Sequence, residues 1–147
     1  MSACLRPIPH DAHRPAPASG TDGPSATRAA TRAPTSAVRV VRGYIEAHCC
    51  TELIRLATLA ELAAVSPFQL IRLFNRELGM SPYAYVTQVR VRRAQRLLQA
   101  GVPVAHVAYA VGFSDQSHLT RTFKSVLGVT PGRYARTVRV RHGGAGA

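Results

Sequence analysis

Acidic residues are scarce in this sequence: seven Asp and Glu stand against 19 Lys and Arg, which gives a formal net charge of +12 at pH 7. Cysteine is also scarce, and Cys4, Cys49 and Cys50 have no CxxC spacing, which argues against a disulfide scaffold or a zinc site. No run of about 18 apolar residues occurs, which excludes a membrane-spanning helix. The N-terminus lacks the apolar stretch of a secretory signal. We therefore expect a cytoplasmic protein with no membrane partner.

The excess of positive charge lies mostly in the middle of the chain. Residues 1–36 carry a net charge of +2, residues 37–136 of +8 and residues 137–147 of +2. The part with enough apolar residues to fold is therefore itself basic. A basic domain indicates a polyanionic partner, usually nucleic acid and less often an anionic membrane.

Composition also predicts where the folded part begins and ends. Residues 1–36 hold six of the ten prolines, and such a segment cannot bury enough apolar surface to offset its ordering entropy. We expect a disordered arm there, whose four arginines either touch DNA phosphates or, as we favour, stay in solvent without a role. Residues 137–147 end in GGAGA and are expected to form a flexible tail. A single domain over 37–136 remains between them.

Helical spacing and helix caps run through this domain. Val38, Val41 and Ile45 recur at helical spacing, and Ser66-Pro67-Phe68-Gln69 has the order of an N-cap, a first-turn proline and a capping-box partner. Ser114 is expected to cap the sixth helix, and Asp115 to lie in its first turn, where it suits the helix dipole. The predicted helices cover about 38–49, 56–63, 67–78, 82–100, 104–111, 115–127 and 131–136. With no strand signal, the expected fold is all-α.

An internal repeat divides the domain into two similar units. Residues 70–85 read LIRLFNRELGMSPYAY and residues 119–134 read LTRTFKSVLGVTPGRY, so Leu, Arg, Phe, Leu, Gly, Pro and Tyr coincide at a shift of 49. Upstream, two alanines and a serine coincide at a shift of 48. A short helix with a small residue, a tight turn and a capped second helix is the pattern of a helix-turn-helix. The sequence therefore predicts two helix-turn-helix motifs.

The sequence of these units resembles the DNA-binding domain of the AraC/XylS transcriptional regulators over about residues 38–136. The similarity is carried by SPFQLIRLFNRELGMSPYAYV, RVRRAQRLL and VAYAVGFSDQSHLTRTFKSVLGVTPGRY. The resemblance implies a first motif at about 55–79, a linker helix at about 82–100 and a second motif at about 104–128. It also implies contact with RNA polymerase. Three positions depart from the family pattern, namely Arg55, Ile71 and His118.

The outward face of the second helix in each motif holds the candidate base-reading residues. Because Leu70 and Phe74 face the core, helical geometry turns a first stripe outward, and Leu119 and Phe123 do the same for a second stripe. The first stripe consists of Phe68, Ile71, Arg72 and Asn75. The second consists of Ser117, Thr120, Arg121 and Lys124, with Gln116 beside it. Arg can read guanine and Gln adenine, and apolar groups or Thr contact the thymine methyl. For Phe68, packing in the core is an equally good interpretation.

Phosphate contacts are expected from basic residues around these stripes. The candidates are Arg76, Arg92, Arg96 and Lys124. For Arg92 and Arg96 on the linker helix, simple solubility is an equal alternative. Arg90 and Arg93 lie on its apolar side, which favours structural salt bridges. The histidines lack metal-ligand spacing, and Cys49-Cys50 is interpreted as core filling, with redox sensing as the lesser alternative.

The predicted function is sequence-specific binding of double-stranded DNA by a transcription factor, with no catalysis, cofactor or metal. A monomer should cover two adjacent sub-sites in successive major grooves. Two alternatives remain open: the DNA-binding module of a repair or alkyl-transfer enzyme, and a protein-interaction fragment that does not bind DNA. The first would need an activated cysteine, and the second would be favoured by loss of both repeat arginines, Arg72 and Arg121.

Overall fold

Seven α-helices make up residues 35–143, the part of the chain that the computed structural model describes. They are α1 (Ser36–His48), α2 (Leu56–Leu62), α3 (Pro67–Leu78), α4 (Pro82–Gln99), α5 (Val104–Ala110), α6 (Gln116–Leu127) and α7 (Pro131–Gly143). Within this range no strand occurs, so the all-α prediction is confirmed there. Most of the expected arm, residues 1–34, and the last four residues lie outside the described part.

The capping residues predicted from the sequence set the ends of α3 and the start of α4. The Ser66 hydroxyl accepts a hydrogen bond from the Gln69 N–H at 3.2 Å, and the Gln69 side-chain oxygen accepts one from the Ser66 N–H at 3.0 Å. This reciprocal pair satisfies two N–H groups that the first turn of α3 leaves without partners. Gly79 ends α3 in the left-handed conformation, with φ +68°. Ser81 caps α4 in the same way, by accepting from the Ala84 N–H.

The expected cap of α6 is wrong. Asp115, not Ser114, is the N-cap, and its carboxylate accepts from the His118 N–H at 2.7 Å. The reason is the residue inserted in the turn: in the register of the helices, at a shift of 49, Asp115 is the equivalent of Ser66. Ser114 instead places its hydroxyl 3.1 Å from the His118 ring nitrogen Nδ1.

The predicted ends of the domain are also displaced. Helix α7 continues to Gly143 rather than ending near Arg136, because no proline or glycine interrupts residues 133–142. At the other end, α1 begins at Ser36, inside the expected arm. Thr35 before it donates from its backbone N–H (2.9 Å) and its hydroxyl (2.7 Å) to the two carboxylate oxygens of Glu77 near the end of α3.

Two hydrophobic cores share helix α4. The first joins α1, α2 and α3 to the N-terminal half of α4, and the second joins the C-terminal half of α4 to α5, α6 and α7. Val89 belongs to the first core and Val91 to the second, so the change from one core to the other falls at Arg90. The largest fully buried side chains are Phe74 in the first core and Phe123 in the second, at equivalent repeat positions. One continuous helix therefore carries both motifs.

We predict that the Thr35–Glu77 contact, rather than the proline-rich segment, stabilises the N-terminal end of the domain. Deleting residues 1–30, which leaves the Thr35 amide intact, should leave Tm unchanged within error. In that shortened chain, Glu77→Gln should lower Tm by roughly 2–6 °C, since it weakens two hydrogen bonds to a carboxylate. Thermal melts followed by circular dichroism measure both, with Glu61→Gln as a control at an exposed carboxylate.

The pH dependence of this effect has a definite sign. Burial raises the pKa of Glu77, but the hydrogen bonds from Thr35 and the nearby Arg76 guanidinium outweigh it and lower the pKa below its ordinary value. The stabilisation should therefore be present at neutral pH and be lost as the pH falls through the lowered pKa. A Tm difference between parent and Glu77→Gln that persists at strongly acidic pH would contradict this assignment.

Candidate DNA interface

The two helix-turn-helix units have the same backbone construction. Each turn contains one residue in the left-handed region, Ala64 with φ 53° in the first motif and Gly112 with φ 83° in the second. The next N–H in each turn bonds back to a buried alanine carbonyl, from Val65 to Ala60 at 3.1 Å and from Phe113 to Ala108 at 2.9 Å. These pairs correspond at the predicted shift of 48. The alanines have no side chain beyond Cβ, which allows close approach of the second helix in each motif.

Helix α3 exposes most of the first stripe. Phe68 is 69% exposed, so its interpretation as a core residue is wrong, and Arg72 and Asn75 are exposed as well. Ile71 is half-buried and offers only part of its side chain. The Arg72 guanidinium carbon lies 6.0 Å from the centroid of the Phe68 ring, a distance at which a cation is attracted to an aromatic face. The pair presents a planar cation beside an apolar ring.

An open groove beside α3 brings together part of the predicted site and one residue that the sequence analysis missed. It has a volume of about 670 Å³ and is lined by Val65, Gln69, Arg72, Leu73, Asn75 and Arg76. Gln69 was assigned only a capping role, yet its side-chain NH₂ remains available after its oxygen accepts from Ser66. Its first-turn position in the second helix was the available signal. Phe68 and Ile71 do not line this groove.

Helix α6 groups the second stripe in the same manner. An open groove of about 420 Å³ is lined by Gln116, Ser117, Thr120 and Arg121. Gln116, Ser117 and Arg121 are exposed, whereas Thr120 is half-buried and its hydroxyl donates to the Gln116 carbonyl at 2.8 Å. Opposite them, Leu119 and Phe123 are fully buried. The residues predicted to read bases in the second motif thus share one surface.

The four predicted phosphate-contacting residues are all exposed but do not form a single cluster. Arg76 lines the α3 groove and also lies 3.4 Å from the Glu77 carboxylate. Lys124 is in the last turn of α6. Arg92 and Arg96 line a separate groove of about 240 Å³ together with Val89, Arg93 and Glu46. The linker arginines therefore lie beside the C-terminal part of α1.

Arg90 and Arg93 have a structural role, but not as salt bridges. Arg90 Nε donates to the Cys49 carbonyl at 2.7 Å, and the Arg93 guanidinium donates to the Glu46 carbonyl. Both acceptors are backbone oxygens at the C-terminal end of α1, where helical carbonyls lack intrahelical partners. Sequence periodicity placed these arginines on the right side of α4 but could not distinguish a carboxylate from a carbonyl.

Cys49 and His118 both pack against neighbouring side chains. Cys49 is fully buried, and burial first, then the neighbouring Cys50, raises the pKa of its thiol to about 11, which suits core filling rather than redox chemistry. His118 packs edge-on against Phe113 with ring centroids 5.0 Å apart, so its imidazole ring contributes to packing. Arg55, another of the three departures from the family pattern, is an N-cap without a side-chain cap bond. In residues 35–141 no three His, Cys, Asp or Glu side chains are grouped to hold a metal.

Among the described helices, none alone is both long and apolar enough to cross a bilayer, and α2 and α3 reach the length and composition only when joined across an 82° bend.

The sequence that forms these two motifs matches the model of a known protein family. The model of a helix-turn-helix domain matches residues 59–137, more than half of the chain, and so covers most of the first motif, the linker helix and the second motif. The chain belongs to the AraC-type helix-turn-helix family. These matches favour DNA-binding transcriptional regulation over the repair enzyme and the protein-interaction fragment.

Individual AraC-type relatives agree in sequence and in structure. The uncharacterized HTH-type transcriptional regulator YbfI of Bacillus subtilis is 37% identical over 86 residues, covering 58% of this chain and 31% of its own length. The arabinose operon regulatory protein of Escherichia coli K12 is 33% identical over 98 residues, covering 66% and 34%. The C-terminal domain of AraT, a response regulator from Geobacillus stearothermophilus, superposes with a TM-score of 0.67 at 34% identity, covering 72% of this chain and 88% of that one.

A further solved structure is the DNA-binding domain of the global transcriptional factor AdpA in complex with a target DNA. It superposes with a TM-score of 0.65 at 30% identity, covering 73% of this chain and 96% of that one. The chain spans about a third of the length of the curated relatives it matches, with values between 27% and 40% for five of them. The similarity thus lies in the AraC-type domain.

The corrected α6 cap gives a testable consequence for the second motif. Asp115→Ala removes the acceptor of the His118 N–H and should lower Tm by several degrees, whereas Asp115→Asn, which can still cap, should lower it by less than half as much. Ser114→Ala is the matched control at the originally predicted cap and should change Tm little. The His118 N–H bond outweighs the opposing effect of burial and lowers the pKa of Asp115, so the stabilisation should disappear as the pH falls through that pKa. Equal losses for Ser114→Ala and Asp115→Ala would contradict this cap assignment.

Proposed function

We propose that this chain regulates transcription by binding a bipartite site in double-stranded DNA, with α3 in one major groove and α6 in the next. The observation that carries the proposal is the pair of exposed arginines, Arg72 and Arg121, at equivalent positions of two motifs that share α4. Successive major grooves on one face of DNA are about 34 Å apart, so one monomer would cover both sub-sites without palindromic symmetry.

Base reading is assigned to the two outward stripes. Arg72 and Arg121 each present a planar fork of donors that can bond guanine O6 and N7. Asn75 and Gln116 have the donor and acceptor pair that matches adenine. Phe68 and the exposed part of Ile71 favour thymine methyl groups, and Ser117 and Thr120 supply small polar contacts in the second sub-site. The two sub-sites should therefore differ in sequence.

Affinity is assigned mainly to phosphate contacts. Arg76 and Lys124 stand on α3 and α6, close to the proposed base-reading residues, and Arg92 and Arg96 add charge on the linker helix. Such contacts hold a protein in register on the duplex but carry no sequence information themselves. The complex of the related AdpA domain with a target DNA supports duplex DNA as the ligand. The proposal includes no catalytic step.

RNA polymerase is proposed as a protein partner on the family resemblance alone. No surface of α1–α7 is assigned to this contact. The domain is proposed to act in the cytoplasm, because an AraC-type regulator must reach the chromosome.

Arginine substitutions test whether the stripes read bases. On a duplex selected from a random pool, Arg72→Ala and Arg121→Ala should each weaken specific binding by about 1–3 kcal/mol. Each should relax base preference at one sub-site only, and the two sub-sites should lie about 10 bp apart. Binding is measured by fluorescence anisotropy on selected and unrelated duplexes, with thermal melts to confirm folding.

Arg133→Ala is the matched control for loss of one positive charge, since Arg133 is exposed on α7 and belongs to neither stripe. It should lower specific and unrelated binding by the same small factor. If Arg72→Ala and Arg121→Ala behaved like this control, the arginines would be phosphate clamps and the base-reading assignment would be wrong. An effect of only one of them would contradict the two-groove arrangement.

The salt dependence of binding tests the phosphate assignment. If about 6–8 phosphates are neutralised, log K plotted against log [salt] should have a slope of about −5 to −7 on duplex DNA. Arg92→Ala should make the slope less steep by about one. A slope near zero would instead favour a protein-interaction domain.

A further inference from the structure

The C-terminal end of α1 is capped from another helix. Its Cys49 and Glu46 carbonyls accept hydrogen bonds from Arg90 and Arg93 of α4, each 41 residues or more away in sequence. Cys49 is fully buried, so its carbonyl has little access to water. A buried carbonyl left without a donor is costly, which makes the bond from Arg90 Nε, 2.7 Å long, part of the local structure.

The turn of the second motif lies against the same point. A Cβ added to Gly112 would be 3.0 Å from the Cys49 carbonyl oxygen and 3.2 Å from Arg90 Nε. The glycine therefore allows the turn between α5 and α6 to approach the end of α1. Its neighbour Phe113 places its ring centroid 6.0 Å from the Arg90 guanidinium carbon, within the range of a cation–π contact.

Arg90 thus touches both halves of the domain at once. It stands where α4 changes from the first hydrophobic core to the second, between Val89 and Val91. Its Nε–H donates to the end of α1, which packs with the first motif in the first core, and its guanidinium carbon lies 6.0 Å from the ring centroid of Phe113 in the turn of the second motif. Cys50, beside the carbonyl that Arg90 holds, packs against both cores.

We propose that Arg90 is a positioning residue that fixes the orientation of the second helix-turn-helix relative to the first, and so sets the spacing at which the two DNA sub-sites are read. The spacing part rests on the proposed bipartite binding, whereas the orientation part does not. A shared helix alone leaves α4 free to bend where the cores change. The hydrogen bond to the Cys49 carbonyl and the contact with Phe113 connect the two halves of the domain a second time, in addition to α4 itself.

A neutral pair of variants isolates the hydrogen bond. Arg90→Gln keeps an N–H donor close to the position of Nε and loses the charge, and Arg90→Met keeps a similar aliphatic stem with no donor. Residual dipolar couplings on the full chain without DNA report whether the two motifs share one alignment tensor. We expect one shared tensor in the parent and in Arg90→Gln, and two different tensors in Arg90→Met. A single tensor in Arg90→Met would overturn the proposal.

DNA binding measures the consequence for spacing. The duplexes are the selected site, the same site with one base pair inserted or removed between the sub-sites, and duplexes with one sub-site scrambled. Arg90→Met should bind the selected site about fivefold to tenfold more weakly, the factor expected if only roughly 10–20% of the free molecules hold the orientation that the site requires, and should lose most of its preference for the native spacing. Binding to the single sub-sites should stay within twofold of the parent, and Arg90→Gln should recover most of the preference.

The outcomes separate this proposal from its alternatives. Equal weakening of single and paired sub-sites by both neutral variants, with rescue by Arg90→Lys, would make Arg90 a phosphate contact and overturn the positioning role. A parent protein that shows no spacing preference would contradict the bipartite function instead, while the dipolar couplings would still decide the orientation. Arg90→Met should melt at a lower temperature than Arg90→Gln, because the Cys49 carbonyl loses its donor. Circular dichroism spectra that show both variants fully folded at the assay temperature exclude unfolding as the cause.

Discussion

The structure depends on the fact that a single helix, α4, supplies one wall of each of two cores. Its side chains must face the first core up to Val89 and the second from Val91 onward, so the two cores lie on different sides of the same helix. Neither three-helix unit is large, and each buries few large side chains of its own, with Phe74 and Phe123 at their centres. Sharing α4 lets each unit add apolar burial that it could not reach alone, and it fixes how far apart α3 and α6 can lie.

The same constraint explains why the repeat is strict in some places and loose in others. Positions that face a core coincide, as in the pairs Leu70 and Leu119 or Phe74 and Phe123, because packing density tolerates little change of volume. Outward positions differ, as in Phe68 and Ser117, because solvent and ligand impose no volume. The arginines Arg72 and Arg121 are outward yet equal. A coincidence at an exposed position is not required by packing, and it is this pair that points to a shared task at a ligand surface.

Local signals made much of this architecture predictable from the sequence. Each helix cap at Ser66, Gly79 and Ser81 bonds to a group only three or four residues away in the sequence. The local sequence pattern therefore predicts these helix ends correctly. The α6 cap was misassigned because the repeat changes register by one residue in the turn, and two adjacent residues, Ser114 and Asp115, both have capping side chains. The bonds from Arg90 and Arg93 to carbonyls of α1 could not be read from the sequence, since a backbone acceptor has no residue signature. Most of the proposed base-reading residues were predictable as exposed positions, whereas Ile71 and Thr120 are half-buried, and the DNA contacts of all of them remain a prediction.

The difference between the two outward stripes has a consequence for orientation on DNA. The first stripe offers an exposed aromatic ring beside Arg72, whereas the second offers Gln116, Ser117 and Arg121, which are all polar. Apolar contact is suited to thymine methyl groups and polar side chains to the hydrogen-bonding edges of the other bases. Because the two motifs are unequal and share α4, a reversed complex would place each stripe on the wrong sub-site. In the proposed bipartite binding, a single chain built in this way would therefore read direction as well as sequence, which a symmetric dimer on a palindrome does not.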